Sequence, residues 1–147
     1  MKNQKVIEIE LAKHFRFMYS NFVISSQQKL YLLLAQKDNN VDVLEFDFSV
    51  YKYGYPNDEV GHPLIKYGLG TYGFYEVQNS KWIEKLRINN SSHHSHSDDM
   101  FKTKKHYVVK FKDVTLEVIA NNYELKTLPK SFFTALLNNQ LLELDDD

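Results

Sequence analysis

The sequence predicts an α+β domain built mainly on an antiparallel sheet, with two or so helices packed on it. Aromatic residues make up 14% of the 147 residues, and aromatic side chains favour strands. Several short stretches alternate apolar and polar residues, which is the period of a strand with one buried face. Two other stretches, after residues 79 and 129, repeat apolar residues at helical spacing instead.

Length and composition indicate one domain spanning residues 1–147. The formal net charge is −1, from 18 basic and 19 acidic residues, so no overall field attracts nucleic acid and such binding is not expected. The absence of cysteine excludes disulfides and suits a reducing compartment, which predicts a cytoplasmic protein. No 18-residue apolar run occurs, and charges interrupt the first apolar stretch, so neither a membrane span nor a signal sequence is expected.

The N-terminal residues predict a first strand with one wet face. Ile7, Ile9 and Leu11 alternate with polar residues, and the alternation continues through residues 15–19. This period is the one that places every second side chain on the same face of a sheet.

Further strands are predicted up to residue 53, giving an N-terminal meander of three or four antiparallel strands. Residues 22–24 are a short β run, and residues 30–35 are apolar on both faces, which predicts a central strand. After a turn at residues 38–40, residues 44–50 alternate most regularly of all.

Residues 54–73 contain all five glycines and predict a structured loop. A helix follows, with Asn79 or Ser80 as its N-cap and an apolar stripe that includes Trp82. The polar stretch near residues 89–104 is predicted to be a mobile loop.

A C-terminal hairpin is predicted with its register. A two-residue loop at residues 113–114 places Phe111 opposite Leu116 and Lys110 opposite Glu117, an opposite-charge pair. His106 then stands beside Asn121, roughly 20 Å from the turn at about 3.3 Å per residue, so His106, Asp113 and Glu117 are not expected to form one acid–base unit. One face of the hairpin is apolar and predicted to be buried: Tyr107, Val109, Phe111, Leu116, Val118 and Ala120.

A last helix is predicted after Pro129, which suits a first helical turn. Its apolar stripe consists of Phe132, Phe133, Leu136 and Leu137.

Residues 68–73 read G-L-G-T-Y-G and match the G-x-G-x-x-G spacing of phosphate-binding loops. A dinucleotide fold needs this motif to open a helix directly, whereas residues 74–77 look extended. The motif therefore favours a tight turn or bulge beside an aromatic strand.

The histidine run His93, His94 and His96, with Asp98 and Asp99, supplies ligand types suited to a divalent metal. A flexible loop without supporting partners holds metal poorly, so a solvated loop is the competing interpretation. No cofactor is otherwise expected.

A tyrosine- and glycine-rich region is the predicted binding site. Tyrosine combines an apolar ring with a polar tip, which suits peptide, sugar or base stacking, and glycine lets a partner approach closely. Plain packing along a strand is the alternative. The predicted binding residues are Tyr53, Tyr55, His62, Tyr67, Tyr72 and Tyr75.

From Asn79 onward the chain reads N-S-x-W-I-x-x-L-x-x-x-N, followed by the histidine loop and then K-H-Y-V-V-x-F-x-D-x-T-x-E-x-I-A at residues 105–120. This pattern resembles a group of small uncharacterised bacterial proteins to which no activity is attached. The resemblance covers the middle third of the chain and implies a bacterial or phage origin. It carries over no site.

The function that we expect is a non-enzymatic interaction module that engages a protein partner, in the manner of small bacterial immunity or adaptor proteins. The alternative is a small-ligand or nucleotide-binding protein, or a metal-assisted hydrolase, that uses His62 and the 68–73 turn. Geometry separates them, because an enzyme would bring His62 and a carboxylate together at a pocket, whereas a binder would present a flatter aromatic patch. The sequence leaves the oligomeric state open.

Overall fold

The computed structural model describes residues 2–54 and 61–145. Within these residues, seven antiparallel strands form one sheet, and three helices and a 3₁₀ turn (Ile65–Tyr67) complete the fold. The predicted α+β fold on an antiparallel sheet is confirmed. In chain order, the elements are β1 (Lys5–Glu8), β2 (Phe22–Ser25), β3 (Lys29–Lys37), β4 (Asn40–Gly54), β5 (Gly73–Gln78), α1 (Lys81–Asn90), α2 (Asp99–Lys102), β6 (Lys105–Lys110), β7 (Thr115–Pro129) and α3 (Lys130–Glu143).

Across the sheet the strands follow the order β1-β5-β6-β7-β4-β3-β2. The predicted meander exists in β2, β3 and β4, which pair in sequence, whereas β1 lies at the opposite edge beside β5. The strand predicted from the apolar run at residues 30–35 is β3, which pairs with a strand on each side and has only β2 beyond it. β3 is apolar on both faces because the core lies on one side and α3 covers the other, where the ring of Tyr31 lies 5.7 Å from that of Phe132.

The long N-terminal strand predicted through residue 19 is wrong beyond Glu8. The Ile9 N–H still donates to the Phe74 carbonyl, but residues 10–21 then leave the sheet. Ile9, Leu11 and Phe17 pack against the core. The alternation in this stretch therefore belongs to a segment that crosses the core.

The main core lies on one face of the sheet, here called the core face. It includes all six residues that the sequence places together on the C-terminal hairpin, each at most 1% exposed. Because both strands contribute every second residue, a fully buried stripe requires the period of two that the sequence shows. The buried members are Leu30, Leu32, Leu44, Phe46, Phe74, Tyr107, Val109, Phe111, Leu116, Val118 and Ala120.

The register predicted for the hairpin is wrong by two residues. Val109 pairs with Leu116, and the strands are joined by four residues, with the Phe111 N–H donating to the Val114 carbonyl. A two-residue hairpin loop favours positive φ at its central residues, which a β-branched valine at position 114 resists. A shift of two keeps every side chain on its predicted face, but it breaks the proposed pairing of Lys110 with Glu117, since Val108 lies opposite Glu117.

The opposite face, here called the helix face, carries two smaller apolar clusters. One lies under the 61–70 segment and contains Val6, Leu64, Leu69, Tyr75, Val77 and Val108. The other lies under α3, where Tyr31, Val41 and Val43 meet Phe132, Phe133 and Leu136. The helix α1 lies between these regions and contacts β6.

The helix α1 begins where the sequence predicts, with Ser80 as N-cap accepting a hydrogen bond from the Ile83 N–H. The polar stretch that follows contains local structure, since α1 continues to Asn90 and α2 spans Asp99–Lys102. Backbone hydrogen bonds also close turns at His93 and His96. In the described part of the chain, no helix combines the length and apolar character needed to cross a membrane.

Candidate functional site

Four polar side chains form a buried hydrogen-bonded network on the helix face. Glu117 Oε2 lies 3.0 Å from His62 Nε2, and Glu117 Oε1 lies 2.8 Å from His106 Nε2. His106 Nδ1 in turn lies 2.7 Å from Ser80 Oγ. All four residues are less than 10% exposed. Buried titratable groups that hydrogen-bond one another are the feature of this molecule most suited to chemistry.

Three separate parts of the chain supply these side chains. His106 in β6 pairs with Ile119 in β7, two residues from Glu117, so the histidine and the glutamate share the helix face. Ser80 reaches them because it caps the helix that lies on β6. His62 precedes the 3₁₀ turn, and its Nδ1 accepts a hydrogen bond from the Leu64 N–H at 3.0 Å.

Hydrogen-bond accounting places the protons of the network. Because His62 Nδ1 accepts from an N–H, its proton is on Nε2 and is donated to Glu117. Ser80 Oγ accepts from the Ile83 N–H at 3.2 Å, which leaves the serine hydroxyl free to donate to His106 Nδ1. His106 then donates its Nε2–H to the other oxygen of Glu117.

The network holds Glu117 as a carboxylate. Burial by itself would raise the pKa of Glu117, but the hydrogen bonds from His106 and His62 outweigh it and hold the pKa well below its ordinary range. Lys52 lies directly across from Glu117 in β4, and its ammonium sits 4.1 Å from the centre of the Trp82 ring. The Trp82 ring meets the His106 ring edge to face at 5.3 Å and covers that side of the network.

Ser80 also lines an open groove of about 970 Å³ beside α1. Pockets that bind small ligands have volumes of roughly 300–1,000 Å³. The only acidic residues among the lining residues are Glu76 and Glu84, and Glu84 is paired with Arg87. Five cations surround the groove: Lys2, Lys81, Lys85, Lys104 and Lys105.

The structure does not bring the predicted tyrosine-rich binding residues together. Tyr53 lies on the core side of β4 opposite Leu116, and its hydroxyl donates to Asn21. Tyr75 and His62 are buried on the helix face, whereas Tyr67 and Tyr72 are partly exposed. Tyr55 lies outside the described residues. The tyrosines are dispersed because alternate strand residues face opposite sides and because β6 and β7 lie between β5 and β4.

The glycine motif at residues 68–73 forms a packed turn that leads into β5. A Cβ on Gly70 would lie 2.5 Å from the Tyr75 hydroxyl, and a Cβ on Gly68 would lie 3.2 Å from the Val6 carbonyl. Gly68 also has a φ of 112°, in the region that favours glycine. Close packing against β1 and β5 therefore accounts for these glycines.

The histidine run is not assembled as a set of metal ligands. The rings of His93 and His94 stack at 4.6 Å on the surface. His96 instead contacts Asn90 at 2.9 Å through Nδ1 and Asp98 at 2.7 Å through Nε2. Among residues 2–54 and 61–145, no three histidine or carboxylate side chains are arranged to hold a metal ion.

A second surface feature is the outer side of α3, here called the α3 leucine face. Its four leucines are 52–76% exposed, although the opposite side of the same helix packs on β3 and β4. Lys130 and Glu143 are the only charged residues between positions 130 and 143. The α3 leucine face consists of Leu137, Leu141, Leu142 and Leu144.

Sequence reasoning missed the network because one register error removed it. Placing Glu117 opposite Lys110 gave the carboxylate a partner, and placing His106 beside Asn121 separated the two residues. Ser80, Trp82, His106 and Glu117 all lie within residues 79–120, the stretch whose pattern was noted in the sequence. The structure brings these four side chains into one cluster.

The comparisons with known proteins leave the site to be interpreted from its own geometry. The network and the groove occupy the helix face beside α1, and the α3 leucine face lies on the C-terminal helix. Neither protein-family models, nor curated proteins, nor solved structures gave a match to this chain.

Proposed function

We propose that the protein is an interaction module whose contact surface for a protein partner is the α3 leucine face. The observation that carries this proposal is the exposure of four leucines on and just after one helix. Groups of exposed large apolar residues on a soluble monomer mark interaction sites. The expected role is that of an immunity or adaptor protein acting in the cytoplasm.

The composition of α3 supports this role. A helix that lies on a domain surface ordinarily carries charged residues on its outer face. Between Lys130 and Glu143 this helix carries none, and its outer side holds leucines and asparagines instead. Its inner side already packs on the sheet through Phe132 and Phe133. The outer leucines are therefore available to a second surface.

The edge of the sheet extends the same surface. Phe22 in β2 is 59% exposed and pairs with Leu33, which packs in the cluster under α3. Cross-strand partners share a face, so Phe22 lies on the side of the sheet that carries α3. A partner could form backbone hydrogen bonds with the edge strand β2 and pack apolar side chains against α3.

The chemistry of the partner follows from the charges at the end of the leucine face. Glu143 and Asp145 flank Leu144, and no basic residue follows Lys130. The matching surface is an apolar groove or helix with lysine or arginine beside it, because opposite charges at the rim of an interface favour association.

A photo-crosslinking amino acid at position 141 tests the proposal in the native host. We expect one discrete adduct, whose partner is then purified and titrated against the full chain. The double variant Leu137→Asp/Leu142→Asp should weaken binding by at least about a hundredfold in the dissociation constant, because burying each leucine contributes roughly 1.5–3 kcal/mol.

The matched control is Ile65→Asp, which places the same charge on an apolar residue that is 48% exposed and lies outside α3. It should leave the affinity unchanged. Equal affinities for the wild type and the double variant would overturn the proposal. Sedimentation of the chain alone would show whether the partner is a second copy.

A further inference from the structure

The buried network and the groove share one residue with a nucleophilic side chain, Ser80. This oxygen lies 2.7 Å from His106, and His106 lies 2.8 Å from Glu117. The structure assigns Ser80 as a nucleophile for acyl transfer from an anionic ester, with His106 as its base and Glu117 and His62 as positioning residues. This activity is independent of the α3 leucine face.

The proton positions are those that a serine nucleophile requires. The serine hydroxyl donates to a histidine nitrogen without a proton, and the other nitrogen of that ring donates to a carboxylate. Here the serine meets Nδ1 and the carboxylate meets Nε2, whereas the serine proteases use the two nitrogens the other way round. The exchange leaves the chemistry unchanged, because the imidazole ring conjugates its two nitrogens.

Glu117 positions His106 for its role as the base. When His106 takes the serine proton it becomes an imidazolium, and the adjacent carboxylate stabilises that charge. Two hydrogen bonds hold the carboxylate in place, one from each histidine. His62 is itself fixed by the Leu64 N–H, so it holds Glu117 without competing for the serine. Trp82 packs against the His106 ring and limits its rotation.

The groove supplies access and sets the class of substrate. Ser80 is one of the residues that line the groove. The lining includes five lysines against two glutamates, one of them paired with Arg87. A carboxylate or phosphate on the substrate would be attracted there.

The reaction proceeds in two balanced steps. Ser80 Oγ forms a bond to the ester carbonyl carbon while its proton moves to His106 Nδ1. The carbonyl then re-forms, the bond to the alcohol oxygen breaks, and His106 returns the proton to the leaving alcohol. Water attacks the acyl-serine by the same route, which releases the acid and restores the hydroxyl.

A fluorophosphonate probe tests the nucleophile directly on the full chain. Attack on phosphorus forms a bond to Ser80 Oγ and releases fluoride, and peptide mass spectrometry locates the adduct. We expect labelling at Ser80 that is lost in Ser80→Asn, a change that preserves an N-cap residue. Ser91→Ala, which removes an exposed serine at the other end of α1, should label at the wild-type rate.

The roles of the other residues are tested by rate. His106→Gln should slow labelling by at least about a hundredfold, the usual contribution of a general base. Glu117→Gln should slow it and change the shape of its pH profile, which a purely structural residue would not do. Thermal melts identify the variants that remain folded, and the rates are compared among those.

Substrate class is tested with a matched pair of aryl esters, 4-nitrophenyl hemisuccinate and neutral 4-nitrophenyl acetate. Lys85→Glu/Lys105→Glu should lower the ratio of kcat/KM for the anionic ester to kcat/KM for the neutral ester by roughly tenfold. Equal effects on both esters would overturn the anionic substrate. Absence of an adduct on Ser80 of folded wild-type protein, at saturating probe, would overturn the nucleophile itself.

Discussion

Glu117 is buried, and hydrogen bonds from two histidines hold it as a carboxylate there. Each carboxylate oxygen accepts one imidazole N–H. Hydrogen bonds to an ionised acceptor are stronger than those between neutral groups. The two bonds to Glu117 therefore stabilise the folded state more than two bonds between neutral groups would. If either histidine moved away, one oxygen of the buried Glu117 carboxylate would lose its hydrogen-bond donor, which would destabilise the folded state.

Replacing Glu117 by Gln tests this balance. The amide has only one acceptor oxygen, and its NH₂ group would face a histidine N–H. We expect a loss of about 2–4 kcal/mol in the free energy of unfolding at pH 7, measured by urea denaturation. Glu124→Gln, on the exposed part of the same strand, is the control and should change stability little.

The same variant should alter the pH dependence of stability. The pKa of Glu117 is lowered in the folded state, so the unfolded chain binds more protons in acid. This stabilisation is complete above the unfolded pKa, about 4.3, and is lost as the pH falls below it. Glu117→Gln should flatten the stability curve between about pH 5 and pH 3. If the stability of the wild type and of Glu117→Gln fell equally over this pH range, Glu117 would not be the group responsible.

At the scale of elements, the turn at residues 68–73 is fixed to β5 by one close approach. A Cβ on Gly70 would lie 2.5 Å from the hydroxyl of Tyr75, which is buried in the cluster with Val6 and Val77. The tyrosine cannot move aside without disturbing that cluster. The packing of the turn thus depends on the absence of a side chain at position 70.

Gly70→Ala should therefore destabilise the protein by about 1–3 kcal/mol, as overpacking of a buried site does. Tyr75→Phe removes the oxygen that the new methyl group meets. In a double-mutant cycle followed by thermal denaturation, adding Tyr75→Phe to Gly70→Ala should recover most of the loss. Strict additivity of the two single changes would show that the contact is not the cause.

The limits of sequence reasoning also lie at the level of elements and their pairing. The faces of the hairpin strands were predictable because a shift of two residues leaves a period of two unchanged. Their register was not, since it depends on the backbone of the loop at residues 111–114. The cluster of Glu117 with His62 and His106 depends on that register and on contacts 55 residues apart in sequence, so no local pattern could assemble it.

At the scale of the whole molecule, the central strands of the sheet pair over many more residues than the edge strands do. β7 and β4 are each 15 residues long and pair along nearly their full length at the centre, whereas the edge strands β1 and β2 contribute four residues each. The order of the strands was beyond prediction from sequence, because β1 reaches its place by pairing with β5, about 70 residues later. Both surfaces proposed for function lie on elements that cover this centre.

Amide hydrogen exchange should be slowest in the central strands and faster in the edge strands. Exchange from a central strand needs global opening, whereas an edge strand exchanges through local opening of lower free energy. We expect the slowest amides at Leu116 and Val118 in β7, and faster exchange by about two orders of magnitude or more in β1 and β2. Binding of a partner to the α3 leucine face should slow exchange in α3 and leave β1 unchanged, because β1 lies at the far edge of the sheet. Protection in β1 equal to that in β7 would contradict a sheet organised around its centre.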